Sequence, residues 1–298
     1  MTIVHRSYSI LIPTKDRPKL LLRAVVSALR SKTKGLEVIV IDDGGIVPAK
    51  QTLKHIQDQR LYIVQNQRAA GASGARNFGA SKAVGDVIFF LDDDDEINVD
   101  YCRRIVALNL SSDYGFSSYM TEVDGHSQPP VQSLSRVRFP EGPIPKSAPL
   151  NRQLFGFGMG FWIRRSVFKE LGDIDEYLQI NEDTEYGCRL IAANKSGWYS
   201  AEPGVVVHKH EGVGDGELLH ITDRISPEDR AEFFLYVSEK YPEFRSHLGR
   251  GYVKYCIKSS QYKKAWGYAA EQKSLIYRIN FSVLIVIKFL GYMLTGKL

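Results

Sequence analysis

With 298 residues, 44% of them hydrophobic and 24% charged, the chain is long enough to bury a core without staples. Cys102, Cys188 and Cys256 are scattered and form no CxxC pair, which argues against a disulfide framework or a zinc site and fits a reducing, cytoplasmic compartment. The net charge of +5 is uneven: residues 241–298 hold ten Lys/Arg against Glu243 and Glu271, a net of +8, so the first 240 residues are at −3 and the tail is expected to meet something anionic. Met1–Tyr8 has no apolar run, so export by a signal peptide is not expected.

In chain order, Tyr8–Pro13 reads as a strand followed by Thr14-Lys-Asp-Arg17. Pro18 then opens a helix in which Leu21, Leu22, Val25, Val26 and Leu29 recur at helical spacing. Gly35 ends it, and Leu36–Ile41 is a second strand that stops at Asp42-Asp-Gly-Gly45. Strand, helix, strand makes a βαβ unit with a right-handed crossover. A helix over about Val47–Gln59, a strand at Leu61–Val64, and a Gly/Ala-rich turn and helix over Gly71–Val84 follow. Val87–Leu91 is too short for a helix and apolar without alternation, which predicts a central strand buried on both faces. It ends in five consecutive carboxylates, Asp92–Glu96. The pattern predicts a doubly wound half-sheet. Its strand ends at Pro13-Thr14, Asp42-Asp43 and Asp92–Asp95 share one rim, where open α/β sheets bind ligands.

Five carboxylates this close repel one another unless a cation is present, and an oxygen-only set suits Mg²⁺, Mn²⁺ or Ca²⁺. The other reading is an acidic, solvated turn that caps a helix over Val99–Leu110. With the strand order 3-2-1-4, a nucleotide fits the switch point, its base near Thr14 and Asp43 and its phosphates facing the acidic run. No GxGxxG follows the first strand and no GxxxxGK[ST] occurs, which excludes a dinucleotide dehydrogenase or P-loop NTPase by motif. Gly71-Ala-Ser-Gly74 is a candidate anion-binding turn at a helix N-terminus.

Several segments in this order and spacing carry a family resemblance: Ile12-Pro-Thr-Lys-Asp-Arg17, Val38-Ile-Val-Ile-Asp-Asp-Gly44, Ala75-Arg-Asn-Phe-Gly79, Gly85–Asp95, Gly156-Phe-Gly-Met-Gly160, Leu171-Gly-Asp-Ile-Asp-Glu176 and Asn181-Glu-Asp-Thr-Glu185. Over residues 7–210 the chain resembles the family 2 glycosyltransferases of GT-A fold. The resemblance implies a Rossmann-like, doubly wound mixed sheet in a catalytic domain over 1–215, with a nucleotide-sugar half over about 1–100 and an acceptor half over about 101–215. Residues 216–298 are then a basic helical extension with an apolar C-terminal helix. It further implies that Asp92 and Asp94, with His208 chosen over His210, hold Mn²⁺ or Mg²⁺, and that Pro13, Thr14, Asp16, Arg17, Asp43, Arg76, Asp92 and Asp93 contact the nucleotide-sugar. Gly45 departs from the serine usual in the family. Asp183 is implied as the base that deprotonates the acceptor hydroxyl and Glu182 as the residue that orients it. From the residues alone, Asp183 or Thr184 serves equally as a helix cap.

The implied activity is a single in-line, inverting transfer from a nucleotide diphosphate-sugar, UDP favoured, to a glycan or lipid-linked glycan in bacterial surface polysaccharide synthesis. The alternatives are a nucleotidyltransferase of related fold and a non-catalytic nucleotide-sugar binding or scaffold protein. Gly212–Gly216 reads as a mobile loop over the donor, Gln128–Pro149 as an acceptor-side loop, and Phe157 or Trp162 as either a sugar platform or buried packing. Helices are expected after Ser226, over Gly251–Ser260 and Tyr262–Leu275, and over Phe281–Leu294. This last stretch has 14 residues and contains Lys288, short of a membrane span, which takes about 20. It reads as a helix in the membrane interface, which would place the protein peripherally on the cytoplasmic face, or as one packed on the catalytic domain or in a homodimer. Nucleic acid is not an expected partner.

Overall fold

The computed structural model describes residues 7–31, 35–108, 111–123, 126–131, 139–209, 225–272 and 275–295. The chain forms two compact units, Met1–Val213 and Gly214–Leu298.

In the first unit the leading βαβ forms as the pattern dictates. β1 (Tyr8–Thr14) is followed by α1 (Pro18–Leu29), which has proline in its first turn and buries Leu21, Ala24, Val25 and Ala28. β2 (Leu36–Asp42) runs parallel to β1, with Thr14 opposite Asp42 at their ends. The helix expected over Val47–Gln59 is cut to α2 (Ala49–Thr52). Beyond Leu53 only Ile56 is apolar before Leu61, so no stripe holds a longer helix. β3 (Leu61–Gln65) pairs parallel with β2; α3 (Ala72–Lys82) leads to β4 (Val87–Phe90), which pairs parallel with β1 and is buried throughout.

The chain then turns through Asp92–Asp95 into β5 (Glu96–Ile97) and α4 (Val99–Ala107), whose cap Asn98 accepts the Asp100 N–H through its side chain. β6 (Tyr114–Val123), β7 (His126–Val131) and β8 (Gly142–Pro143) follow, then α5 (Leu150–Gln153), β9 (Trp162–Arg164), α6 (Arg165–Leu171), α7 (Glu182–Ala192) and β10 (Gly197–Lys209). The sheet order is β3-β2-β1-β4-β9-β6-β10-β5, with β7 beside β6 and β8 beside β10. Antiparallel β9 makes the sheet mixed. Alternate residues along the strands face opposite sides. Leu11, Ile39, Ile88 and Phe90 enter one core with Phe78 of α3, while Ile10, Val38, Val40 and Phe89 enter the other with Leu21 and Val25 of α1. With both faces buried, the polar groups that gather at the carboxyl ends of β1, β2 and β4 form one rim.

The second unit is helical. Ser226 accepts the Asp229 N–H at 3.0 Å and so caps α8 (Pro227–Lys240). A short 3₁₀ turn at Pro242–Phe244 precedes α9 (Arg245–Lys258), α10 (Tyr262–Ala270) and α11 (Leu275–Thr295). α11 has 21 residues, longer than its apolar core suggested. Among the described residues, no helix is long and apolar enough to cross a membrane.

Candidate active site

The acidic run becomes a tight turn at the end of β4, closed by the Asp95 N–H donating to the Asp92 carbonyl at 3.2 Å. Its carboxylates have different partners. Asp93 turns inward and accepts from the Thr14 hydroxyl at 2.7 Å and from Arg17 at 3.1 Å. Arg17 also reaches Asp94 at 2.9 Å, and the Asp94 carbonyl accepts from Arg23. Asp95 is buried and accepts the His208 backbone N–H at 3.1 Å. Burial pushes the Asp93 carboxyl up to about 6 against the pull of Arg17 and Thr14. Burial, and then the charges of Asp92 and Asp94, hold Asp95 well above the carboxylate range.

One oxygen from each of Asp92, Asp94 and Asp95 lies within 4.8 Å of the others. The donor set is oxygen only, so it fits a hard divalent cation. His208, expected in that set, is placed differently. The antiparallel pairing of β10 with β5 sets it beside Glu96, with Nε2 3.1 Å from Glu96 Oε1 and Nδ1 3.7 Å from Glu122 Oε1. Its link to the aspartates is through its backbone. His210 and Gly212–Gly216 lie outside the described residues.

Arg76, in the middle of α3, ties the rim together. It is 6% exposed and lies over the Phe157 ring at 5.1 Å. Nη2 donates to Asp92 at 2.8 Å and Nη1 to Glu182 at 3.1 Å, so a single guanidinium spans the end of β4 and the start of α7. Buried Arg76 Nε and Asn181 Nδ2 have no partner among the described residues. Arg76, which the resemblance implies contacts the donor, is held in place by these two carboxylates.

α7 starts at Glu182 behind Asn181, whose φ of 60° is left-handed, a conformation asparagine tolerates better than most residues. Asn181 makes no side-chain cap, so the capping reading of Asp183 needs adjusting: Asp183 lies inside the first turn and accepts the Thr184 N–H at 2.6 Å. The helix dipole favours Glu182, Asp183 and Glu185 there. Glu185 is fully buried and held by Arg189 at 2.6 Å. Burial and the neighbouring charge of Glu182 push Asp183 up to about 7, with Arg76 pulling the other way. A carboxyl that titrates near neutral pH can take a proton from an alcohol as a bond forms.

On the other side of the rim, the Asp43 N–H donates to the Thr14 carbonyl at 2.9 Å. The Asp43 carboxylate accepts from Asn66 at 2.6 Å and from the Gly71 N–H at 2.8 Å. Half-buried Pro13 precedes Thr14 on β1. Asp16 has a left-handed φ of 53° and accepts the Val47 N–H at 3.0 Å. A Cβ at position 45 would overlap the Asp16 carboxylate, which explains glycine here. Gly158 has the same role toward Asp92: a Cβ there would overlap that carboxylate. Phe157 and Trp162 are each 2% exposed, which makes them core residues and not sugar platforms. Asn66, Asp95, Gly158 and Asn181 were given no role from the sequence, although Asp95 lies in the acidic run and Gly158 and Asn181 lie in segments that carry the resemblance; Asn66 carried no signal.

Comparison with known proteins identifies the family. The Glycosyl transferase family 2 profile matches residues 9–172. WcaA of Escherichia coli K12, named for colanic acid biosynthesis and glycosyl transfer, is 26% identical over 211 residues, covering 68% of this chain and 73% of its own. The GalNAc(5)-diNAcBac-PP-undecaprenol beta-1,3-glucosyltransferase of Campylobacter jejuni is 36% identical over 92 residues, 30% of each chain. The crystal structure of S. aureus TarS 1-349 in complex with UDP-GlcNAc superposes with a TM-score of 0.65 at 18% identity, covering 92% of this chain and 79% of that one. With more than half of its length matched by the profile, the chain belongs to glycosyl transferase family 2 and is a glycosyltransferase of GT-A fold.

Proposed function

We propose that the protein transfers a sugar, with inversion, from a UDP-sugar to a hydroxyl of a glycan or lipid-linked glycan during polysaccharide synthesis. The observation that carries the reading is the Arg76 bridge, which puts a carboxylate of the candidate cation group and Glu182, the neighbour of Asp183 in α7, within the span of one guanidinium. Asp183 takes the proton of the acceptor hydroxyl as the new bond forms, and Glu182 orients that acceptor. Pro13, Thr14, Asp16 and Asp43 form the donor-base side of the rim, which Arg17 and Thr14 tie to Asp93 of the acidic turn. Asp92, Asp94 and Asp95 would hold Mn²⁺ or Mg²⁺, which when bound offsets the charge of the leaving diphosphate.

The UDP preference is supported by the UDP-GlcNAc complex of TarS, and the lipid-linked acceptor by the undecaprenol named for the Campylobacter enzyme. In this reading Met1–Val213 is the catalytic domain and Gly214–Leu298 a basic extension. Its boundary near residue 215 falls outside the described residues. The protein then works peripherally at the cytoplasmic membrane face. Family membership decides against the nucleotidyltransferase alternative.

A thermal-shift panel of UDP-, GDP-, CMP- and dTDP-sugars, with and without Mn²⁺, tests the donor. Stabilisation by UDP-sugars that needs both Mn²⁺ and Asp94, and is lost in Asp94→Ala, is the expected result. Stabilisation by another nucleotide class would overturn the UDP assignment, and a shift indifferent to Mn²⁺ and Asp94 would overturn the cation site.

A further inference from the structure

α11 has two apolar faces, and the second unit uses one. Phe281 and Ile285 are buried among Val253, Cys256, Ala265 and Tyr268 of α9 and α10. Ile279, Val283, Val286, Ile287 and Leu290 fall on another side, within about 100° of arc at the helical repeat. Each is between 44% and 60% exposed. Lone exposed apolar residues are ordinary, but five large ones on one stripe mark a contact surface. Trp266 of α10 is also exposed, and tryptophan favours the boundary between lipid and water.

Charge selects the occupant. Arg250, Lys254, Lys258, Lys263, Lys264 and Arg278 of α9, α10 and α11 are exposed, and no acidic residue occurs between Glu271 and Leu298. A second copy docked along the stripe would bring two segments of net +8 together. The residues flanking the stripe, Asn280, Ser282 and Phe289, offer no acidic group to pair across such a seam. An anionic bilayer complements both features, taking the stripe at the level of the acyl boundary and the basic side chains among its headgroups. We propose that the exposed face of α11, with the basic side chains of α9 and α10, is a docking surface for an anionic phospholipid bilayer, the helix lying in the plane of that surface. This deepens the membrane location given under Proposed function and rests on it.

Sedimentation of the full chain with vesicles tests the surface, using phosphatidylcholine alone against an equal mixture with phosphatidylglycerol, without donor or acceptor. Binding to the anionic vesicles should be tighter by roughly tenfold or more and should weaken with salt. The triple variant Ile279→Ser/Val283→Ser/Ile287→Ser leaves Phe281 and Ile285 in place, so it should melt like the wild type yet lose this binding. Lys254→Glu/Lys258→Glu, both changes at exposed positions, should lose the preference for anionic vesicles even if the triple variant misfolds. A wild-type chain that sediments with neither vesicle, or variants that bind as well as it does, would overturn the proposal. So would a wild-type dimer that the triple variant splits while neither binds vesicles, which would give the stripe to a second copy. Sugar transfer to a soluble acceptor is measured separately: vesicle binding without transfer leaves this surface standing while the proposed activity falls, and transfer without vesicle binding does the reverse.

Discussion

At the scale of single residues, the site depends on charges held where water would normally screen them. Arg76 is the clearest case, since it is buried and removing it leaves Asp92 and Glu182 without the cation that pairs them. Arg76→Met should cost about 2 kcal/mol of folding stability, read from denaturant unfolding. Because Arg76 pulls the Asp183 pKa down, the same change should move the acidic limb of the pH–activity profile to higher pH. A variant with lower stability and an unmoved limb would limit Arg76 to packing. Asp183 itself should make transfer rise with pH through about 7, because only its ionised form accepts a proton. The effect on stability has the opposite sense. A carboxyl with a raised folded-state pKa binds its proton more tightly when folded, so its contribution falls as pH rises from about 4 toward its folded value. Asp183→Asn should therefore melt above the wild type at pH 8 and level with it below about pH 4, a comparison of Tm across pH.

At the scale of elements, β1 to β4 were legible in the sequence, while β5 to β10 and the loops were not. β1, β2 and β4 declare themselves because an unbroken apolar run followed by acids has few other solutions in an α/β sheet. α2 is shorter than its sequence suggests because only Ala49 and Leu53 find a place in the core. α11 is longer than its apolar run suggests because Tyr277, Arg278 and Asn280 interrupt the apolar pattern without stopping the helix. Asp92, Asp94 and Asp183 are named by the family resemblance of the segments that hold them. The turn of His208 toward Glu96 could not be read there, because it follows from β10 pairing with β5, a contact between distant segments. Gly158 was hidden for the same reason: its need to be glycine arises only once the loop after α5 folds against Asp92. Gly158→Ala should displace that carboxylate and weaken Mn²⁺ binding to the free protein by roughly tenfold, about 1.4 kcal/mol, measured by titration calorimetry. Unchanged affinity would take Asp92 out of the cation group.

At the scale of the whole molecule, the chain joins a sheet whose polar rim is held by internal ion pairs to a basic helical unit with an uncovered apolar face. The family profile covers residues 9–172, which include the acidic turn but stop short of Asp183. The base is therefore the part of the account most in need of its own test. Asp183→Asn keeps the shape of the side chain and removes only its ability to take a proton. The decisive experiment measures sugar transfer by this variant and the wild type while donor affinity is followed in parallel. Transfer should fall by roughly a thousandfold with donor affinity intact, the scale expected of a lost general base. Turnover within a few-fold of the wild type would remove Asp183 as the base and contradict the account at its centre.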